Sequence, residues 1–378
     1  MGRSRLAKLS HAQLLEIAVD ACESSPELKN KADALIAKVA PLPSWCVDIL
    51  LSPDLLPQLF SSLGLSEHTA AGVCSTWSRA YSRQLRRSCY IDPRRVRLLA
   101  DVPQRPNGLC MLPGGVLAIA SYGAHSQAVV NFVAARNDSD LQALAAYRAS
   151  TLATRRFKWP MGLALTNDGL LVCCLRDPSA ALYKFDTDGS MDELATVPAL
   201  ADYGEGFTRC AVHQQTQRTY ALVNDADEGR SALVLLDANL QIIATVLKVD
   251  TAGGHHDLAV HGDQVIVLTG NGSGLQLIDL DGRFLRTIAA GQFLNPQAVT
   301  ASHGRAFVID NGEGEDEDGV ILGQVLYIID IQSGDIIQRV HVDLQDEASA
   351  ILVDGDEIFI AGFGRGMIAV LQLAGSEA

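Results

Sequence analysis

The sequence of 378 residues predicts a small helical region followed by a larger all-β domain. Up to about residue 90, apolar residues recur at intervals of three and four, which is the spacing of one face of a helix. From Arg94 onward this spacing stops. Short runs rich in Val, Ile and Leu then alternate with Gly, Asp and Asn, which is typical of strands and turns. The second part is also repetitive, which predicts one supersecondary unit copied along the chain.

Six repeats begin 41 to 54 residues apart, counted from Asn107, Met161, Thr208, His256, Gln297 and Ser349. The fourth repeat is the clearest, with strands expected over 256–261, 264–269, 274–280 and 283–289. Its turns fall at Gly262-Asp263 and Asp281-Gly282, and its third strand ends near an aspartate, as in the other repeats. Six units of four short strands predict a six-bladed β-propeller.

A propeller has to close, because an open ring would expose the edges of its first and last sheets. The last repeat offers only three strands, over about 349–354, 357–361 and 366–372. A strand over 95–101 precedes the first repeat and belongs to none, so it is expected to complete the last blade. The openings, in which Asn or Pro is followed by Gly-Leu-Ala and later by Asp-Gly, resemble those of the NHL and gluconolactonase-like six-bladed families. We expect this propeller to span residues 93–375.

The first 44 residues predict a helical hairpin. Ser10 caps one helix in a capping box with Gln13, and Ser25-Pro26 opens a second helix. The hairpin is too small to fold alone, so it either packs on the helices that follow or binds a separate partner.

Residues 45–92 form a second helical region, whose apolar side chains line one stripe. They are Leu55, Leu56, Leu59, Phe60 and Leu63 in one helix, and Val73, Cys74 and Trp77 in the next. This stretch resembles an F-box. The resemblance implies that the eight residues dock on the Skp adaptor, which links a substrate receptor to a cullin ubiquitin ligase. Ser52 separates Leu51 from Pro53, Pro57 interrupts the helix, and His68 replaces a leucine, so the alternative is a helical cap that packs on the rest of the chain.

Charge and cysteine content restrict the partners and the compartment. Residues 1–105 hold 14 Lys/Arg and 10 Asp/Glu, whereas residues 106–378 hold 16 and 34. The acidic propeller excludes nucleic acid and favours a basic target protein. The eight cysteines have no C-x-x-C spacing, which indicates a reducing compartment. With no signal peptide and no apolar stretch long enough for a membrane span, we expect a protein of the cytoplasm, the nucleus or both, without membrane contact.

The central channel is where an enzyme built on this fold would hold a metal, because lactonase-like propellers bind a divalent cation there with Glu, Asn and Asp. The candidates are Asn107, Glu205, Asn224, Asp225, His255, His256 and Asp257, of which His256 and Asp257 are the leading pair. The other repeats offer no carboxylate at the matching place, so we expect polar turn groups here, with no cofactor and no catalytic residue.

The expected function is therefore that of a substrate receptor in an SCF-type ubiquitin ligase, which performs no covalent chemistry. It would raise the concentration of a target near the ligase. Two alternatives remain: a metal-dependent, lactonase-like hydrolase with a helical extension, and a propeller scaffold unconnected with any ligase.

Overall fold

The computed structural model describes most of the propeller. The described residues are 90–99, 102–121, 129–157, 159–175, 181–187, 191–198, 206–225, 230–250, 255–270, 273–312, 324–344, 346–364 and 366–374. Apart from Tyr90 they belong to one compact unit, residues 91–376. The predicted hairpin and the F-box-like stretch, with its eight docking residues, lie outside the described residues.

Six sheets form the six predicted blades. Blade 1 consists of β2 (Pro106–Leu112), β3 (Val116–Ser121) and β4 (Val129–Ala134). Blade 2 consists of β5 (Pro160–Leu165), β6 (Leu170–Cys174), β7 (Ala181–Phe185) and β8 (Glu193–Pro198). Blade 3 consists of β9 (Gly206–His213), β10 (Arg218–Asp225), β11 (Arg230–Leu236) and β12 (Ile242–Asp250).

The second half of the ring repeats this plan. Blade 4 consists of β13 (His255–His261), β14 (Gln264–Thr269), β15 (Gly274–Asp279) and β16 (Phe284–Ile288). Blade 5 consists of β17 (Pro296–Ser302), β18 (Arg305–Asp310), β19 (Gln324–Asp330) and β20 (Ile336–Val342). Blade 6 consists of β21 (Ala348–Asp354), β22 (Glu357–Gly362), β23 (Met367–Ala374) and, at its outer edge, β1 (Tyr90–Leu98). The strand pairs among β2 to β23 within the blades are antiparallel.

Strand β1 confirms the predicted closure, because it pairs with the last strand of the chain's last blade. It begins at Tyr90, earlier than the sequence indicated and inside the region assigned to helices. Pro93 concealed this start, since proline interrupts most strands but is tolerated at a sheet edge. Ile91 is fully buried, and its amide donates to the side chain of Gln338 in blade 5 at 3.0 Å.

An ion-pair cluster joins the two ends of the ring. Glu357 in blade 6 accepts one hydrogen bond from Arg97 of β1 and one from Arg136, which follows blade 1, each at 2.7 Å. Arg136 also contacts the carboxylate of Asp354 at 2.6 Å. Glu357 is buried, so these contacts are shielded from solvent on one side. We call Arg97, Arg136, Asp354 and Glu357 the closure cluster.

Blade 1 departs from the four-strand plan. Among the described residues its sheet has three strands, followed by two helices, α1 (Leu141–Ala149) and α2 (Thr151–Thr154). The expectation that helices end before Arg94 was therefore wrong. Asp140 caps α1 by accepting from the amides of Gln142 and Ala143. The helix buries Tyr147, whose ring stacks on Phe132 of β4 at 5.6 Å, so tertiary packing holds a short helix with little amphipathic pattern.

The aspartates at the ends of third strands have a structural role. Asp237, Asp279 and Asp330 each direct one carboxylate oxygen at two backbone amides of the turn ahead. Such Asx turns hold the chain in position for the fourth strand. This repeat signal therefore reports turn geometry rather than ligand binding.

The core lies between the blades. The second strands β3, β6, β18 and β22 are buried at every residue, and their side chains fill the space between neighbouring sheets. The innermost strands contact one another in a closed ring, in the order β2, β5, β9, β13, β17 and β21. Within the described residues, no helix is long and apolar enough to cross a bilayer.

Candidate functional site in the central channel

All six innermost strands carry a β-bulge at the same point. Each pairing register skips one residue near the start of the strand, and the skipped residues are Asn107, Met161, Thr208, His256, Gln297 and Ser349. These are the residues from which the sequence repeat was counted. A bulge turns the local backbone away from the ladder. The six bulges form a ring, and we call its backbone oxygens the bulge carbonyls.

Blades 1, 2 and 3 approach one another closely at the ring. A Cβ atom on Gly108 would lie 2.6 Å from the Met161 carbonyl oxygen, and one on Gly162 would lie 2.9 Å from the Thr208 carbonyl oxygen. Both neighbours are backbone atoms that cannot swing aside. Glycine at these two positions is therefore a packing requirement, which explains the Gly in the repeat openings of blades 1 and 2.

Arg209 follows the bulge of blade 3, and its guanidinium binds the bulge carbonyls. Its Nη1 donates to the carbonyl oxygens of Met161 and Thr208, both at 3.1 Å. Its Nη2 donates to the carbonyl oxygen of Ser349, in blade 6, at 3.3 Å. One side chain therefore spans the channel and ties blades 2, 3 and 6 together. The positively charged guanidinium of Arg209 therefore lies among the carbonyl oxygens of this end of the channel.

Asp257 follows the bulge of blade 4, and its carboxylate pairs with the positive charge of the Arg209 guanidinium. Its Oδ1 lies 3.4 Å from Nε of Arg209. The same oxygen accepts from the Leu258 amide, and Oδ2 accepts from the Val299 amide of blade 5, both at 2.9 Å. Burial raises the pKa of Asp257 to about 6, while Arg209 and the two amides oppose that rise. Both carboxylate oxygens are thus engaged within the protein.

The channel encloses a cavity of about 300 Å³ lined by all six inner strands. Its walls present polar and apolar surface in nearly equal amounts, and the lining includes Leu109, Leu163 and Ile351 as well as Asp257 and Asp354. Polar groups stand at the bulge end, where Asn107 and Arg209 both line the cavity. Small-molecule sites are usually lined mainly by apolar side chains, so this lining does not by itself mark one.

The predicted channel residues separate into three groups. Asn107 and Asp257 line the cavity. His255, His256, Asn224 and Asp225 lie in strands, His256 at a bulge, but their side chains are outside what the structure describes. Glu205 is outside the described residues altogether. Across the described ranges, no three His, Cys, Asp or Glu side chains are grouped as metal ligands.

Arg209 was missing from the sequence-based candidates. A signal for it exists, because the residue after each bulge is Gly108, Gly162, Arg209, Asp257, Ala298 or Ala350. Opposite charges therefore occupy the same repeat position in two successive blades. Residues at one repeat position of adjacent blades are neighbours in the ring, so the repeat alignment alone could have predicted an ion pair.

Thiol chemistry is not favoured at the channel. The four described cysteines, Cys110, Cys173, Cys174 and Cys210, are all buried. Burial raises the pKa of Cys110 to about 12, with smaller contributions from Cys210 and Asp354. A thiol with so high a pKa has almost no thiolate at neutral pH and is a poor nucleophile.

No protein-family model matches this sequence, and no curated protein sequence matches it. Solved structures do share the fold. A protein of unknown function from Bacteroides thetaiotaomicron has a TM-score of 0.52 at 12% identity, over 75% of this chain and 73% of that chain. The hydrazine synthase of Kuenenia stuttgartiensis has a TM-score of 0.51 at 17% identity, over 72% and 78%. A protein described as a candidate gluconolactonase has a TM-score of 0.50 at 8% identity, over 73% and 91%.

These identities are low, so the likeness supports the six-bladed propeller fold and not an activity. It agrees with the resemblance of the repeat openings to gluconolactonase-like propellers.

Proposed function

We propose that this protein is the substrate receptor of a cullin-type ubiquitin ligase, with the propeller as a binding platform rather than an enzyme. In this proposal, the F-box-like residues 51–77 dock on the Skp adaptor. The propeller then binds a target protein and holds it near the ligase, which raises its effective concentration.

The observation that carries the non-enzymatic part of this proposal is the position of Arg209. Its guanidinium donates to three bulge carbonyls and pairs with Asp257, the leading candidate ligand of the channel. A divalent cation at that place would have to displace a buried positive charge and recruit carboxylate oxygens that already accept backbone amides. These contacts support a structural use of the polar groups in the channel, where lactonase-like propellers are expected to bind a metal.

The charge of the propeller supports a basic target. Residues 106–378 carry 34 Asp/Glu against 16 Lys/Arg, so the domain attracts cationic surfaces and repels phosphates. The eight cysteines have no C-x-x-C spacing, which supports a reducing compartment. We therefore propose that the protein resides in the cytoplasm or the nucleus.

Adaptor docking is tested with the full-length chain and purified Skp adaptor. The double variant Leu59→Asp plus Trp77→Ala removes two residues of the predicted stripe. The matched control, Leu194→Asp plus Phe284→Ala, changes two exposed apolar residues of the propeller. We expect the wild type and the control to retain the adaptor in a pull-down and the stripe variant to lose it.

Failure of the wild-type chain to retain the adaptor would contradict the ligase proposal. Retention by the stripe variant would instead show that the adaptor contacts another surface. In the first case a scaffold without a ligase becomes the better explanation of the propeller.

A further inference from the structure

The outermost strands of blades 2 to 5 share a β-bulge. In each of them the pairing register with the third strand skips one residue, and the skipped residue is aliphatic. The four residues are Leu194, Ile243, Leu285 and Ile337, with exposed fractions of 51%, 53%, 46% and 37%. A bulge changes the direction of the local side chains. This repeated feature therefore places an apolar side chain on the outer rim of each of these blades.

Blades 3 and 4 present more apolar surface at this position than blades 2 and 5. The residue before the bulge is also large and apolar there, namely Ile242, which is 41% exposed, and Phe284, which is 59% exposed. In blade 2 this residue is Glu193, and in blade 5 it is Ile336, which is half-buried. Single exposed apolar side chains are ordinary, whereas a contiguous group of them marks an interaction surface.

Two exposed residues line opposite walls of a cleft between blades 3 and 4. Phe284 of β16 lies opposite Ile278 of β15. Ala244 of β12 lies opposite Leu235 of β11. Ile278 and Leu235 both belong to the hydrophobic core between blades 3 and 4. Directly opposed residues of an antiparallel pair lie on the same face of the sheet, so Phe284 and Ala244 extend this core outward to the rim.

The floor of the cleft is fixed by contacts between the two blades. Val246 of β12 packs on the same core, and a Cβ atom on Gly282 would lie 2.7 Å from its Cγ1 atom. The Tyr220 hydroxyl donates to the Leu280 carbonyl oxygen at 2.6 Å, and Arg218 donates to the same oxygen at 3.2 Å. The cleft is therefore formed before any partner binds, which lowers the entropy cost of binding. We call the rim groove the set Ile243, Ala244, Val246, Phe284 and Leu285.

The charges around the rim groove cancel. Residues 237–250 and 279–288, taken with Arg218, hold four cations and four carboxylates. They are Arg218, Lys248, Arg283 and Arg286, and Asp237, Asp250, Asp279 and Asp281. Asp281 pairs with Arg218 at 3.0 Å, and the carboxylates of Asp237 and Asp279 accept turn amides. The groove is thus neutral within a domain whose residues 106–378 hold 16 Lys/Arg and 34 Asp/Glu, a net charge of −18.

The charge of the whole domain decides which occupant the groove fits. A second copy of the chain would bring another acidic propeller, and an anionic lipid surface is also negative, so both are repelled. A basic protein is attracted. Within the groove itself, Arg283 is exposed beside Phe284 and would oppose a partner cation at that point.

We infer that the rim groove binds an uncharged apolar segment, flanked by Lys or Arg, of a basic target protein. The apolar side chains of the segment pack between Phe284 and Ala244 and against the two bulge residues. Its flanking cations stay outside the groove and face the acidic surface of the domain. This inference rests on the proposed function in one respect, that the propeller is a binding platform for a basic target. It does not require adaptor docking.

The test begins with a display library of random twelve-residue peptides, selected against the full-length protein. Selected peptides are synthesised with a fluorescent label, and their binding is measured by fluorescence anisotropy. We expect them to combine a run of apolar residues with Lys or Arg on one or both sides. Raising the salt concentration should weaken their binding, because the attraction of the flanking cations is screened.

Matched variants at equivalent bulges decide whether the rim groove is the site. The groove variant is Ile243→Ser plus Leu285→Ser, in blades 3 and 4. The control makes the same change in blades 2 and 5, as Leu194→Ser plus Ile337→Ser. All four residues are exposed, so circular dichroism melting should show that both variants fold. We expect the groove variant and Phe284→Ser to bind the peptides about tenfold or more weakly, and the control to bind them like the wild type.

Several results would overturn the inference. They are a library that yields no peptide able to bind the wild type, selected peptides that are acidic, and groove variants that bind like the wild type. A dimer of the wild type in sedimentation velocity that the groove variant abolishes would assign the groove to a second copy. Binding to phosphatidylserine vesicles that the groove variant abolishes would assign it to a lipid surface.

The inference and adaptor docking can fail separately. No residue of 51–77 belongs to the rim groove, so the groove variant should retain the Skp adaptor in the pull-down. Loss of peptide binding with the adaptor retained concerns the groove alone, whereas a wild-type chain that binds peptides but not the adaptor contradicts only the ligase.

Discussion

Replacing Arg209 by methionine should destabilise the propeller, and by more at alkaline than at acidic pH. Methionine keeps an unbranched side chain of similar length but cannot donate a hydrogen bond. Three carbonyl oxygens lose their donor, and Asp257 is left as a buried carboxylate that keeps two amide hydrogen bonds but has lost its cationic partner. Breaking a buried pair in this way costs about 3–5 kcal/mol of unfolding free energy where Asp257 is ionised.

The pH dependence follows from Asp257. Its folded-state pKa of about 6 lies above the value of an unfolded aspartate, so the native state binds the proton more tightly. Stability gained from this proton is present at low pH and is lost as the pH rises through about 6. Arg209 opposes the upward shift, so its removal raises the pKa of Asp257 further. At about pH 5 the carboxyl is mostly protonated, and the variant then loses mainly hydrogen bonds, about 1–3 kcal/mol.

Urea denaturation followed by far-ultraviolet circular dichroism, at about pH 5 and about pH 8, measures both values. Comparing variant with wild type at each pH cancels the titration of other groups. The matched control is Arg286→Met, because Arg286 also donates to two backbone carbonyls but lies on an exposed strand and has no carboxylate partner among the residues that the structure describes. It should cost less, and equally at both pH values. An Arg209→Met loss that is equal at both pH values, or larger at about pH 5, would refute this account of the pair.

Two further predictions concern the ring itself. Gly162→Ala should cost about 1–3 kcal/mol in urea denaturation, because its Cβ would press on the backbone of blade 3, whereas Gly362→Ala has only ordinary contacts and should be far milder. Glu357→Ala removes the acceptor shared by two arginines of the closure cluster and should cost about 1–3 kcal/mol. The control Asp281→Ala breaks a pair whose carboxylate is largely exposed and should change stability by less than about 0.5 kcal/mol. Equal losses in either pair of variants would contradict these explanations.

Much of the propeller could be predicted from the sequence because it is repetitive. Four short strands per repeat, bounded by Gly and Asp turns, gave blade 4 to within one or two residues at each strand end. The closing strand followed from counting the strands of the last blade. Both inferences rest on local patterns, namely alternation and turn chemistry, which a single sequence displays directly.

The parts that escaped prediction depend on contacts between distant residues. Helix α1 has too weak a pattern to be recognised, and it is held by Asp140 at its cap and by Tyr147 against Phe132. The role of Arg209 depends on carbonyls that lie 48 and 140 residues away along the chain. Asp257 was placed in the channel, but its carboxylate is bonded to Arg209 and to amides rather than arranged with other metal ligands.

We infer that a guanidinium takes the place of a metal at the bulge end of the channel. A calorimetric titration of the full-length protein with Ca²⁺, Mg²⁺ and Zn²⁺ tests it most directly, with Asp257→Asn as the comparison. Because the propeller is acidic, some weak binding is expected elsewhere. We predict that the wild type and Asp257→Asn give the same heats for all three ions. A saturable site in the wild type that disappears in Asp257→Asn would contradict the claim, and it would favour the metal-dependent hydrolase.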